Sequence, residues 1–155
     1  MKVVNKWTRQ GEMHLSTLIL LLVLFAALPT DGQNEATFIR KHIKLDMTPA
    51  NCDKEMEEIN KEMEKKNKNF KGCKKMNTFI KDTIENVRKV CTEGFGKNLE
   101  TNFFQSNQAF TKVECVTTDT KKPCKYNGKE VKAPIHVACD QNNRPVHYGP
   151  PKRKG

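Results

Sequence analysis

The 155 residues contain no Asn-x-Ser/Thr triplet, so N-linked glycosylation is not expected. No two cysteines stand closer than Cys115 and Cys124, which removes the paired Cys-x-x-Cys spacing of a structural zinc site. No repeat, low-complexity segment or internal linker divides the chain beyond its N-terminal stretch. No apolar run reaches the ~20 residues that a transmembrane helix needs. The longest, Leu15 to Leu28, is broken by Ser16 and Thr17 and falls short of that length. Lys2, Lys6 and Arg9 precede it and Pro29-Thr30-Asp31-Gly32 follow, which is the layout of a secretory signal peptide. Thr30 and Gly32 suit the small positions before a cut, so residues 1–32 read as the leader and Gln33 as the start of the mature chain. Met13 offers an alternative start, and the sequence leaves both open.

What remains is one domain's worth of chain, residues 33–155, and it is basic. The whole sequence has 28 Lys+Arg against 18 Asp+Glu, a net charge of +10; the leader takes away three basic and two acidic residues, leaving +9. A balance of that sign draws polyanions such as nucleic acid by non-specific phosphate attraction. All six cysteines, Cys52, Cys73, Cys91, Cys115, Cys124 and Cys139, lie after the cut. An even number in a small secreted chain reads as a disulfide framework with no free thiol. Spacing alone does not choose among the possible pairings.

Along the mature chain, Phe38, Ile39, His42 and Ile43 share one face of a helix expected over Glu35 to Ile43, with Arg40, Lys41 and Lys44 turned outward. A histidine on an apolar face is more often a satisfied core residue than a catalytic one. Met56, Ile59 and Met63 recur at helical spacing from Asp53 to Lys66, a second and mostly solvated helix whose methionines read as core. Lys65, Lys66, Lys68 and Lys71 form a basic run that is usually a solvated face. Asp82 can cap a third helix in which Ile84, Val87 and Cys91 make one seam, with Gly94 and Gly96 ending it. Extended runs follow at Thr101 to Gln105, Phe110 to Thr117, Pro123 to Tyr126, Val131 to Cys139 and Pro145 to Tyr148, with Asn127-Gly128 as a hairpin signal. Helices gathered in the first half and strands in the second imply an α+β domain around a twisted antiparallel sheet.

One stretch is dense in chemistry. Cys73-Lys74-Lys75-Met76-Asn77-Thr78-Phe79 sets a cysteine, a cation, an amide, a hydroxyl and an aromatic ring within seven residues. It resembles Cys-Lys-x-x-Asn-Thr-Phe, the signature of the pancreatic-type ribonuclease superfamily, at every fixed position. Phe38-x-Arg40-x-His42 resembles that family's first helix, and Val146-His147-Tyr148 its last strand, so the likeness spans essentially the whole mature chain. The missing extra cysteine pair between Thr92 and Gln105 places the resemblance nearer the angiogenin-like, three-disulfide branch.

The resemblance implies a ribonuclease A-like fold, three helices on a twisted antiparallel sheet, with Cys52–Cys115, Cys73–Cys124 and Cys91–Cys139 paired. On the chain-entropy model each such loop contributes roughly 3 to 4 kcal/mol. It also implies a secreted endonuclease that cleaves single-stranded RNA after pyrimidines through a 2′,3′-cyclic phosphate, without metal or cofactor. His42 would be the base, His147 the acid and Lys74 the cation that stabilises the phosphorane. Substrate contacts would come from Lys41, Asn77, Thr78 and Tyr148, with Thr78 reading the pyrimidine edge and Phe79 supporting the core. Where ribonuclease A has a glutamine before the first histidine this chain has Lys41, so phosphate would be held there by charge. An aspartate often follows the family's His-aromatic pair; here Gly149 stands there, and His147 has that much less support. His136 matches no catalytic position and reads as structural.

Other implied partners are ribonuclease inhibitor and anionic surfaces such as heparin-like glycosaminoglycans or bacterial membranes, for a chain that reads as a monomer. Angiogenins carry a basic nuclear-entry cluster near the lysine run, which this interrupted run matches only weakly. A reading from another class is a cationic secreted ligand or host-defence protein that acts through its basic surface and the Pro150-Pro151-Lys152-Arg153-Lys154 tail.

Overall fold

A few deeply buried side chains anchor the three helices, and polar side chains cap the first and the third. The computed structural model describes residues 34–92, 95–100 and 102–150; the expected leader over residues 1–32 and the basic tail from Pro151 onward lie outside the described residues. Helix α1 (Glu35–His42) starts where the Asn34 side chain accepts from Thr37 N at 2.8 Å. Glu35 in its first turn and Arg40 and Lys41 in its last complement the helix dipole. Phe38, 1% exposed, anchors it to the core. The helix stops at His42 because Ile43 turns extended and bridges in parallel to Ile80, which sets His42 beside the first strand. A 3-10 turn over Pro49–Asn51 leads into α2 (Cys52–Lys66), whose buried residues are Cys52, Met56, Ile59 and Asn60. In α3 (Ile84–Lys89) the N-cap is Thr83, whose side chain accepts from Asn86 N. Asp82, expected in that role, instead accepts from Thr83 N at 2.7 Å and from Asn86 Nδ2 at 2.8 Å, bracing the cap from one residue back.

The strands form two antiparallel sheets. The first holds β1 (Met76–Ile80), β4 (Phe110–Thr117) and β5 (Tyr126–Ala133) in the order β1-β4-β5; the second holds β2 (Gly96–Glu100), β3 (Phe103–Ser106), β6 (His136–Cys139) and β7 (Pro145–Tyr148) in the order β2-β3-β6-β7. Strands β4 and β7 have their expected bounds, and others do not. The run expected at Thr101 to Gln105 is β3 at Phe103–Ser106, with β2 added before it in a region read only as the end of a helix. The runs expected at Pro123 to Tyr126 and Val131 to Cys139 are redrawn as β5 and β6, parted at Pro134, which cannot donate to a ladder.

Asn127-Gly128 is not a hairpin turn. Both residues lie inside β5, opposite Val116 and Cys115. The glycine is there for space: a Cβ on Gly128 would meet Pro49 O at 2.5 Å and Cys52 Sγ at 2.7 Å. Gly96 has the same reason, since its Cβ would fall 2.1 Å from Val90 O.

The three disulfides pair as the resemblance implies. Cys52 at the head of α2 joins Cys115 of β4, Cys73 joins Cys124 between β4 and β5, and Cys91 after α3 joins Cys139 of β6, across sequence separations of 63, 51 and 48. One buried cluster gathers Phe38, Ile80, Val87, Phe110, Ile135 and Val137; the other gathers Met47, Met56, Ile59, Phe79, Val113 and Tyr126. Each large side chain so enclosed contributes about 1.5–3 kcal/mol. Helix α1 packs against both β1 and β7, so the end of that helix is where the two sheets approach each other.

Candidate active site

The last turn of α1 and the first residues of β1 are fastened by side-chain hydrogen bonds to the backbone. His42 Nδ1 lies 2.8 Å from Thr78 O. A carbonyl oxygen only accepts, so Nδ1 carries the proton and the lone pair of Nε2 is left for chemistry. Asn77, 3% exposed, donates from Nδ2 to Lys41 O at 2.7 Å and accepts from Lys74 Nζ at 2.6 Å. One amide thus joins the residue before His42 to the ammonium of Lys74. Phe79, 2% exposed, is in the core as expected.

Lys74 is fixed from its main chain as well. Its N–H donates to Asn60 Oδ1 at 2.9 Å, and its carbonyl accepts from the Tyr126 hydroxyl at 2.9 Å. Asn60 Nδ2 in turn donates to that same hydroxyl at 2.9 Å, closing a loop between α2, β5 and the strand entrance. The neighbouring Cys73–Cys124 disulfide holds the same spot covalently.

The second histidine comes from the other sheet. His147 lies on β7 opposite Ala138, and its ring meets Phe103 edge-on at 6.3 Å between centroids. Tyr148, the next residue, stacks on His42 with centroids 5.2 Å apart and planes at 26°, while Phe38 packs on His42 at 5.2 Å. Gly149 has φ +123°, where a side chain is strained, so the aspartate often found after the His-aromatic pair does not suit this backbone. Its amide donates to His136 O at 2.8 Å, and His136 itself sits on β6 opposite Gln105.

The electrostatics follow from this enclosure. Burial pushes the His42 imidazole down to about 3; the Thr78 carbonyl opposes that, and the charges of Lys74, Lys41 and His147 add to it. His42 is therefore neutral at pH 7. Burial, and then the charge of Lys41, lower Lys74 to about 8, with Glu62 acting the other way. Glu62 accepts from Arg40 through both carboxylate oxygens at 2.9 and 2.6 Å, and lies 3.1 Å from Lys66 Nζ and 3.8 Å from Lys41 Nζ. Those hydrogen bonds from Arg40, against the cost of burial, hold its carboxyl down at about 2.

The structure thus brings His42, Lys41, Lys74, Asn77, Thr78 and Tyr148 into one neighbourhood, with His147 close enough for its charge to act on His42. His136 is not among them; it lies on β6 of the second sheet. Thr78 is only 3% exposed and stands opposite Glu114 in the β1–β4 ladder. The sequence reading did not single out Asn60, Glu62, Lys112 or Tyr126. Asn60 and Glu62 lie on α2, whose polar residues read as solvated, and nothing in their spacing marks the inward turn. In the sequence Tyr126 reads only as the end of a short strand.

Comparison with known proteins agrees with this architecture. The family model described as pancreatic ribonuclease matches residues 33–151. Ribonuclease-like 3 of Danio rerio is 31% identical over 148 residues, covering 88% of this chain and 95% of that protein. Angiogenin-3 of Mus musculus is 32% identical over 140 residues, covering 89% of this chain and 92% of that protein. The X-ray structure of zebrafish RNase5 superposes with a TM-score of 0.62 at 33% identity, covering 74% of this chain and 91% of that one. With the signature residues, the three disulfides and the two-sheet fold in place, the chain belongs to the pancreatic ribonuclease family and is an RNA endonuclease of the metal-independent type.

Proposed function

We propose that this is a secreted ribonuclease that cuts single-stranded RNA on the 3′ side of pyrimidines, with His42 as base, His147 as acid and Lys74 as the stabilising cation. The observation that carries the reading is the bond from His42 Nδ1–H to Thr78 O, which leaves Nε2 unprotonated and a neutral ring beside two lysines. Nε2 would take the proton of the ribose 2′-hydroxyl as that oxygen attacks phosphorus. His147 would protonate the departing 5′-oxygen, and the histidines would exchange roles when the 2′,3′-cyclic phosphate is hydrolysed. Lys74 would meet the charge that develops on the non-bridging oxygens, and Asn77 would keep its ammonium in place. Lys41 would bind the phosphate as a point charge.

Bound phosphate also compensates the cations that depress His42, so the base strengthens when substrate is in place. Thr78 would present its edge to the pyrimidine, with Tyr148 beside the base. The leader, residues 1–32, would send the chain out of the cell, which suits the three disulfides. Ribonuclease inhibitor and anionic surfaces are the further partners that this reading entails, and the likeness to an angiogenin makes an angiogenic or antibacterial role part of it.

The test is purified protein on tRNA and on a set of dinucleotides with EDTA present. Cleavage after cytidine and uridine that leaves cyclic ends, and none of DNA, is expected because DNA lacks the attacking hydroxyl. Loss of activity in EDTA, or cleavage after purines, overturns it.

A further inference from the structure

Lys112 occupies a place where a lysine is costly. It lies on β4 opposite Ile80 and is only 9% exposed, and a buried ammonium is tolerated only when paired. Its Nζ is 3.0 Å from Glu114 Oε1, two residues along the same strand, and donates to the Tyr148 hydroxyl at 3.2 Å. The ammonium is 6.0 Å from the Tyr148 ring centroid, at the outer edge of cation–π range, so the hydroxyl is the contact that counts.

That contact crosses between the sheets. Lys112 belongs to β4, the central strand of the first sheet; Tyr148 belongs to β7, the edge strand of the second. Strand β7 is four residues long and pairs on one side only, with β6. Yet it carries His147 and presents the Tyr148 ring to His42.

We infer that Lys112 is a positioning residue: through the Tyr148 hydroxyl it latches β7 to the first sheet and so fixes the stack on His42 and the spacing of the two histidines. The inference rests on the reading of His42 and His147 as the acting pair. Lys112 acts through its contacts with Tyr148 and Glu114, and Glu114 neutralises it and keeps its ammonium aimed at β7.

A double-mutant cycle tests the latch. Tyr148→Phe keeps the ring, and with it any contact to a base, and removes only the hydroxyl, leaving the Lys112–Glu114 pair intact. It should lower kcat about fivefold, the loss expected for one hydrogen bond, with KM changed by less than about twofold. Lys112→Met alone should lower kcat by about as much or more, but added to Tyr148→Phe it should cost less than about a further twofold. His42 faces Lys41, Lys74, His147 and the Thr78 carbonyl, none of which either variant alters. Its imidazole, followed by NMR, should nonetheless titrate at higher pH in both variants, because a loosened stack admits water.

Equal losses from Lys112→Met in the two backgrounds, an unchanged kcat for Tyr148→Phe, or an unmoved His42 titration each overturn the latch. Should Lys112→Met fail to fold, Tyr148→Phe still decides through kcat and the titration. Activity retained by His42→Ala or His147→Ala would instead overturn the reading on which it rests.

Discussion

His42 and His147, the proposed base and acid, have opposite kinds of support. His42 ends a capped helix, bonds a backbone carbonyl through Nδ1, and is enclosed by Phe38 and Tyr148. His147 rides on a four-residue edge strand beside a glycine at positive φ, with Phe103 edge-on to it. The difference suits the proposed base: burial and the charges of Lys74 and Lys41 keep the His42 ring neutral at pH 7, and the Thr78 carbonyl fixes its tautomer.

The largest effect expected from breaking this pair is the loss of either ring. His42→Ala and His147→Ala should each lower kcat/KM on a cytidyl dinucleotide by about 10² to 10⁴-fold, whereas His136→Ala should stay near the parent. Comparable losses at all three positions would discredit the division of labour.

A smaller effect sharpens the contrast from the side of the cation. Lys74 is lowered to about 8, so the rate should fall by an additional order in proton concentration once pH passes that value, beyond any decline set by the proposed acid. Lys74→Arg keeps its charge to far higher pH. Its profile should lack the second break although its maximal rate is lower, because a planar fork does not reproduce the Asn77 contact. A second break that persists in the arginine variant would assign it to another group.

A third effect is on stability. His42 binds its proton near pH 3 in the folded protein and near 6.5 otherwise, so the unfolded chain takes up a proton first as pH falls. Its burial therefore costs nothing above about 6.5 and destabilises increasingly from there down to about 3. Melting temperature measured without phosphate should drop across that window, and His42→Ala should drop less steeply. Parallel curves for the two proteins would show that the ring titrates freely.

Much of the site could be read from the sequence because its residues sit in short, dense runs. Cys73 to Phe79 and Val146 to Tyr148 carry their chemistry at fixed local spacing, and Phe38 and His42 share a helical face. What escaped comes from contacts far apart in sequence. Asn60 and Tyr126 meet at Lys74 across α2 and β5, and Lys112 meets Tyr148 across two sheets. No local pattern announces either meeting.

The strand errors have a different cause. In the sequence Gly96 and Gly128 read as punctuation, where glycine usually supplies a turn, but Gly96 opens β2 and Gly128 lies within β5, each where another backbone passes too near for a Cβ. Thr83 and Asp82 are both good caps, and which one serves depends on where the chain leaves β1.

The placement of Asn127-Gly128 in β5 also bears on chemical ageing. An asparagine followed by glycine is the dipeptide most prone to deamidate, because the glycine nitrogen can swing onto the side-chain amide and close a five-membered imide. That swing needs a loose backbone. Here the pair faces Val116 and Cys115 in the β4–β5 ladder, and Gly128 is pressed against Pro49 and the sulfur of the Cys52–Cys115 bridge. The fold therefore keeps its most labile dipeptide from cyclising, and reducing that one bridge would expose the chain to a slow chemical clock as well as to unfolding.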